Sequence, residues 1–284
     1  MTIDDQSLAG LRQQIDRIDE QLHDLVMARA DIAERIRQLK DRNGVATIHP
    51  AREIDVLRRL ARRHHGPLPF SAVTRIWREL IAAITHLQRP LAIAVYAPDE
   101  LPGPWDLARD HFGSTVPITP LGSVSQVIRA VTDKTATVGI LPMPAEHEPD
   151  PWWRHLISVD PAAPRIFARL PVGVRGNARG AGSVFAIASH VGDFSAVDKS
   201  LVALEIQGPI SRTKLVSGLK NAGLDCDMLA VLTRDSLCWV FAEIAGPVAD
   251  HDPRLDELGT QFGTPINGVY HLGGYADPVL PAEA

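Results

Sequence analysis

Two cations interrupt the first long apolar series of the chain. Leucine and isoleucine recur at spacings of three and four from residue 8 to residue 39, which is the pattern of one helix face. At about 100° per residue, Arg29 projects close to Leu11 and Leu25, and Lys40 projects close to Leu22. A single cation on such a face most often pairs with an acid or extends to solvent. Two cations are costly unless an anion meets them, so the pair predicts an anion-binding site.

Further polar residues lie on the apolar faces of the next two predicted helices. Glu53 shares the apolar face of the second helix, with Arg52 beside it, and Gln88 continues the apolar series of the third. No Ser–His or Cys–His pair lies near them. Cations and neutral donors without a nucleophile favour a dianionic substrate whose reaction needs positioning and charge stabilisation. We expect neither a cofactor nor a metal.

Arg12 also flanks the apolar series, but it precedes Arg29 by 17 residues. That separation is about 25 Å along a straight helix, so the two side chains cannot share a pocket of one chain. If Arg12 is functional, it enters the site of a partner chain through antiparallel pairing of the long helices. The long first helix also extends beyond a three-helix core, so we expect a homodimer.

Three helices are predicted to position these residues. The first spans residues 7–42, the second begins at Pro50 and ends near His65, and Ser71 is the predicted N-cap of a third that ends before Pro90. After Pro90, short β-branched runs broken by Gly and Pro indicate a β/α arrangement. Strands are predicted at 91–96, 136–141, 200–207, 225–233 and 236–244, and helices at 122–133 and 212–222.

Composition excludes several classes of protein. The 284 residues carry a net charge of −5, with 15 Lys and Arg against 12 Asp and Glu in residues 1–90 and 14 against 22 in the remainder. The basic excess is too weak for nucleic-acid binding. The basic run at residues 58–65 is interpreted as the solvated face of the second helix, which could also steer an anionic substrate.

Two cysteines supply neither a disulfide scaffold nor a zinc site. The first residues lack the apolar run of a secretory signal. No apolar segment approaches the ~20 residues that span a bilayer. We therefore expect a soluble, cytoplasmic protein with no membrane partner.

Two weaker signals have simpler structural interpretations. The glycine-rich segment 173–182, with Arg175 and Arg179, could cradle a phosphate, but no strand–loop–helix context supports this and a connecting loop is favoured. His147 and His155 lie among acidic residues, but their spacing fits no metal-ligand set.

The N-terminal residues resemble the all-helical chorismate mutase family. The resemblance covers roughly 85 residues without a gap and rests on the segments Ser7–Asp19 (SLAGLRQQIDRID), Ala28-Arg29, Lys40, Arg52-Glu53 and Leu87-Gln88. It implies a Claisen rearrangement of chorismate to prephenate in an intertwined homodimer with one site per chain. It also implies that both substrate carboxylates are held by three arginines: Arg12 of the partner subunit, Arg29 and Arg52.

The resemblance implies distinct roles for the other site residues. Lys40 and Gln88 would donate to the ether oxygen, where negative charge grows as the C–O bond breaks, and Glu53 would accept from the ring hydroxyl. Two positions depart from the family pattern. Ile84 stands where a small polar residue, often Ser, supports a carboxylate, and His49 stands where Asp or Arg is usual near the ring hydroxyl. Both are secondary contacts, so weaker binding is expected more than lost chemistry.

The remainder resembles a prephenate dehydratase that has lost parts. Residues 123–142 resemble that family's first lobe, whereas residues 198–215 and 268–275 resemble its regulatory ACT domain. The family's Thr-Arg-Phe motif is Ser183-Val184-Phe185 here, its Ile-Glu-Asn-Ser is replaced by residues 143–146, and its Glu-Ser-Arg-Pro ligand motif is replaced by residues 231–234. About forty residues separate Pro142 from Ser183, too few for a complete second lobe.

The sequence therefore predicts a multidomain chain. Residues 1–90 form an all-α three-helix chorismate mutase domain, 91–197 a degenerate α/β dehydratase-like region, and 198–284 an α+β ACT-like domain. The expected function is chorismate mutase in aromatic amino acid biosynthesis, with a catalytically dead C-terminal half. Two alternatives stay open: a bifunctional mutase–dehydratase, and a non-enzymatic regulatory partner of a pathway enzyme.

Overall fold

A computed structural model of the chain describes residues 7–41, 48–146, 148–160, 162–180, 182–189, 191, 197–249 and 251–280. The helices are α1 Leu8–Asp41, α2 Pro50–Arg63, α3 Phe70–Gln88, α4 Gly103–Phe112, α5 Val124–Thr132, α6 Arg212–Asn221, α7 Pro253–Asp256 and α8 Leu258–Phe262. The strands are β1 Ile93–Tyr96, β2 Ile118–Leu121, β3 Val138–Pro142, β4 Arg165–Leu170, β5 Val184–Ala188, β6 Lys199–Gln207, β7 Cys226–Arg234, β8 Leu237–Ala245 and β9 Ile266–Tyr275. No described helix is both long and apolar enough to cross a membrane.

The three predicted N-terminal helices are present, and one predicted boundary is wrong. The third helix begins at Phe70, so Ser71 lies inside its first turn and Pro69 occupies the N-cap position without a side-chain cap. Two local features account for this start. Pro69 already has a φ of −60°, and the Phe70 ring is buried, which fixes the beginning of the helix against the core.

Helix α1 leaves its apolar seam uncovered. The nine seam residues expose between 41% and 67% of their surface, and they are Leu8, Leu11, Ile15, Ile18, Leu22, Leu25, Ile32, Ile36 and Leu39. Among the described elements, α1 packs mainly on α3. A continuous apolar stripe of this length normally faces a partner.

The nine strands in the described part of the chain form one sheet in the order β2-β1-β3-β5-β4-β9-β6-β8-β7. The first three are parallel, β3 and β4 pair antiparallel with β5, and the last four form an antiparallel unit. The two halves meet where β4 pairs with β9 at Ile166 and Gly273. Gly273 has a φ of +123°, and a Cβ there would lie 1.9 Å from the Ile166 carbonyl oxygen, so only glycine permits this approach.

Apolar clusters extend across the boundaries between the three regions predicted from the sequence, residues 1–90, 91–197 and 198–284. One cluster packs Ile54, Leu57 and Phe70 of the helical region against β1, β3 and α4. A second packs Trp153 and Phe185 of the middle segment against Phe241 of the last segment. The helices that carry the candidate site therefore share their core with the α/β region.

Candidate active site

Helices α1, α2 and α3 line an open cavity of about 560 Å³. Its described lining is Arg29, Ile32, Ala33, Ile36, His49, Arg52, Glu53, Val56, Arg59, Leu60, Arg63, Trp77, Ile81, Ile84, Thr85 and Gln88. Each helix contributes one face, because these positions recur at spacings of three, four and seven. The volume falls in the range of small-molecule sites.

The cavity gathers six of the eight residues singled out from the sequence: Arg29, His49, Arg52, Glu53, Ile84 and Gln88. Arg12 is exposed on α1 and does not line the cavity of its own chain. Lys40 lies in the last turn of α1, and its side chain falls outside the described part of the structure. The roles of all eight stay predictions.

Arg29 carries the electrostatic signature of an anion site. Its Nη1 atom is buried and has no hydrogen-bond partner among the described residues. Burial, and next the charge of the nearby Arg52, lower the pKa of the Arg29 guanidinium. A cation held in this state gains stability when an anion enters, because the anion supplies the missing hydrogen bond and the missing charge.

Gln88 and Glu53 are both oriented by hydrogen bonds before any ligand is bound. The Gln88 amide Nε2 donates to the Ala33 carbonyl at 3.0 Å, which joins α3 to α1 across the cavity. The Glu53 Oε2 atom accepts from Arg78 Nη1 at 2.6 Å. Among the described lining residues Glu53 is the one acid, so the cavity is cationic overall.

Two sets of arginines were not predicted from the sequence as part of the site: two on α2 that line the cavity, and one buried on α3. Arg59 and Arg63 line the cavity, although the basic run was interpreted as a solvated face. Their spacing of 7 and 11 from Arg52 places all three on one helix face and could have identified them. Arg78 interrupts the apolar face of α3 and is buried, which is the same signal that identified Arg29.

The arginines of the glycine-rich segment have local partners. Arg179 of the glycine-rich segment donates to Asp106 through its backbone N, Nε and Nη2 at 2.9, 2.7 and 2.9 Å, and Arg175 donates to the Gly182 carbonyl. Hydrogen bonds from Arg179 lower the pKa of Asp106 to about 2. No metal-binding group of three or more His, Cys, Asp or Glu occurs within the described residues, and His147 lies outside them.

Two of the segments compared with dehydratase motifs lie next to each other: residues 143–146 follow β3 directly, and residues 183–185 include the start of β5. Pro142, which precedes residues 143–146, pairs with Val184 on the neighbouring antiparallel strand. Val184 and Phe185 are both buried in the core. The position that resembles the family's arginine is therefore a packing position in this chain.

Several known proteins are similar to parts of this chain. A bifunctional chorismate mutase/prephenate dehydratase of Pseudomonas aeruginosa is 31% identical over 147 residues, which are 49% of this chain and 40% of that protein. The chain thus covers about two fifths of that relative's length.

Among solved structures, a prephenate dehydratase from Streptococcus mutans superposes with a TM-score of 0.43 at 15% identity, covering 66% of this chain and 98% of that one. A protein described as a novel type of quorum quenching acylase superposes with a TM-score of 0.47 at 16% identity, covering 65% of this chain and 94% of that one. Residues 11–89 match the family model for chorismate mutase type II, so the helical N-terminal region is similar in sequence to that family.

Proposed function

We propose that this chain is a chorismate mutase that rearranges chorismate to prephenate in the cavity between α1, α2 and α3. The observation that carries the proposal is the polar lining of that cavity. It includes four arginines, an oriented amide and one acid already paired with Arg78, together with His49 and Thr85. Arg29 Nη1 lacks a partner within the described residues. This lining complements a small dianion.

The Claisen rearrangement needs only what this lining supplies. The step is unimolecular: one C–O bond breaks, one C–C bond forms, and no proton has to move in it. Acceleration therefore comes from holding the reactive conformer and from stabilising negative charge on the ether oxygen. Arg29 and Arg52 hold the carboxylates, Gln88 and Lys40 donate to the ether oxygen, and Glu53 accepts from the ring hydroxyl.

Two lining residues reduce affinity more than turnover. Ile84 offers no hydrogen bond where a small polar residue would support a carboxylate. His49, which precedes α2 and lines the cavity, stands near the expected position of the ring hydroxyl. Neither residue contacts the breaking bond in this mechanism, so both affect KM before kcat.

The active form is a homodimer paired along α1. The exposed seam of α1 supports this, as does the length of the continuous helix, which holds Arg12 about 25 Å from Arg29 of the same chain. Antiparallel pairing brings Arg12 of the partner subunit to the cavity. The third arginine then completes the binding of the two carboxylates.

The C-terminal half has no dehydratase activity in this proposal. The core packing of Val184, and the absence of an arginine from residues 183–185, support it. The last four strands and their helices follow the order β6-α6-β7-β8-α7/α8-β9 with the sheet order β9-β6-β8-β7, which supports an ACT-like domain.

The decisive experiment follows chorismate by absorbance and quantifies prephenate and phenylpyruvate with the full chain. We expect prephenate to accumulate without phenylpyruvate. Arg29→Met is expected to lower kcat/KM by roughly 100-fold or more, because it removes a charged hydrogen bond inside a cationic pocket. Arg35→Met is the matched control, since Arg35 is exposed on the same helix and does not line the cavity.

Each alternative gives a different product pattern. Phenylpyruvate formation with the wild-type chain would support a bifunctional mutase–dehydratase instead. No loss of chorismate with correctly folded protein would contradict the enzyme and favour a regulatory binding partner.

A further inference from the structure

Arg78 joins the candidate active site to the α/β region through one buried guanidinium. Its Nη1 donates to Glu53 Oε2 at 2.6 Å, its Nε to the His111 carbonyl at 3.0 Å, and its Nη2 contacts His111 Nε2 at 2.9 Å. The Arg78 side chain is 5% exposed and that of Glu53 is 19% exposed. Three elements thus meet at this cation: α2, α3 and α4.

The contact fixes Glu53 without using up its capacity to bind a ligand. A carboxylate has about four acceptor positions on two oxygens, so Oε2 can accept from Arg78 while further positions of Glu53, which lines the cavity, stay available to a ligand. A short, charged hydrogen bond from a buried guanidinium restricts the rotamers of a flexible glutamate. The carboxylate is therefore oriented before substrate arrives.

His111 holds Arg78 from the side of the α/β region. An arginine only donates hydrogen bonds, so His111 Nε2 accepts and the imidazole is neutral. Burial, and next the charge of Arg78, lower the pKa of His111 well below its usual value. The imidazole therefore stays an acceptor throughout the physiological range, and the orientation of Arg78 does not depend on pH there.

A neighbouring ion pair joins the same two helices without reaching the cavity. Arg75 of α3 contacts Asp110 of α4 at 2.7 Å, and Arg75 is about half exposed. It makes no described contact with Glu53 and does not line the cavity. Arg75 therefore separates support of the α3–α4 interface from an effect on the site.

We propose that Arg78 is a positioning residue for Glu53, held in place by His111 of α4, so that the α/β region helps to build the mutase site. This rests on the proposed function. The α/β region then takes part in the reaction through geometry, whether or not it has chemistry of its own.

The test is a double-mutant cycle on the full chain with chorismate as substrate. Arg78→Met is expected to lower kcat/KM by roughly 10- to 100-fold, the scale of a misplaced catalytic group, and Arg78→Lys to recover part of the loss. In a Glu53→Ala background the same Arg78→Met change is expected to cost less than about 3-fold, because its target is gone. Arg75→Met is expected to change kcat/KM by less than about 3-fold in both backgrounds.

A second variant reaches Arg78 from the other side. His111→Phe keeps a ring of similar size and removes the acceptor for Nη2, so it tests the proposal if Arg78→Met does not fold. A several-fold loss that disappears with Glu53→Ala is expected. Equal losses with and without Glu53, for both Arg78→Met and His111→Phe, would overturn the proposal and leave Arg78 a structural residue. A wild-type chain without turnover would overturn the proposed function itself, and the positioning role with it.

Discussion

Replacing Leu25 with glutamate should separate the proposed dimer into monomers. Leu25 lies near the middle of α1, where an antiparallel pair brings each residue close to its own copy. It is the most exposed residue of the seam, with 67% of its surface uncovered. Leu25→Glu therefore removes apolar contact and places two carboxylates near each other.

The size of the effect follows from the exposed fraction. Full burial of a leucine is worth about 1.5–3 kcal/mol, so covering the exposed two thirds contributes roughly 1–2 kcal/mol per copy. A symmetric dimer contains two copies, and losing about 2–4 kcal/mol raises the dissociation constant roughly 30- to 1000-fold. Repulsion between the two carboxylates adds to this loss.

Sedimentation velocity at micromolar concentration measures the oligomeric state, and chorismate turnover is measured on the same samples. We expect a wild-type dimer, and a folded Leu25→Glu monomer with kcat/KM lowered at least tenfold because Arg12 of the partner subunit is lost. Val159→Glu is the control, since Val159 is 90% exposed and lies outside α1. A Leu25→Glu monomer with wild-type turnover would refute the shared site, and a monomeric wild type would refute the dimer.

Three further predictions concern stability. His111 has a pKa below its unfolded value of about 6.5, so below that pH the unfolded chain binds a proton that the folded chain does not. As the pH falls below about 6.5, the free energy of unfolding of the wild type should therefore drop by up to about 1.4 kcal/mol per pH unit relative to that of His111→Phe. Above pH ~7 the difference between the two proteins should not change with pH. The Asp106 carboxylate accepts from the backbone N of Arg179, so Asp106→Asn should speed hydrogen exchange of that amide at neutral pH. In the wild type, the amide should stay protected from exchange until the pH falls toward the Asp106 pKa of about 2. Gly273→Ala should destabilise the chain by about 3 kcal/mol or more in denaturant titrations, because its Cβ overlaps the Ile166 carbonyl, whereas Gly122→Ala, which meets nothing within 4 Å, should be nearly neutral.

Much of the local structure could be predicted from periodicity and turn chemistry. Helix α1 was predicted over residues 7–42 and spans Leu8–Asp41, and the strand at 236–244 is β8, Leu237–Ala245. Charge on an apolar face identified Arg29 because burying a cation is costly wherever the chain folds. Such signals are local, so a single sequence contains them.

Long-range pairing could not be predicted in the same way. The close approach of Gly273 to Ile166 depends on two strands about a hundred residues apart, and neither segment encodes the other's register. The partner of Arg78 was equally hidden, because His111 lies on a helix of a different segment. The shared cores and the support of Glu53 are therefore visible only in the folded structure.

Mixing two inactive variants tests the shared mutase site most directly. Arg12→Ala and Arg29→Ala are each expected to lose nearly all conversion of chorismate to prephenate. In a heterodimer, one site receives an intact Arg29 from its own chain and an intact Arg12 from the other. An equimolar mixture that exchanges subunits should therefore recover about a quarter of wild-type turnover, since half of its dimers carry one working site. Turnover that stays at the level of the two parents, once native mass spectrometry has confirmed heterodimers, would contradict a site completed by the partner subunit.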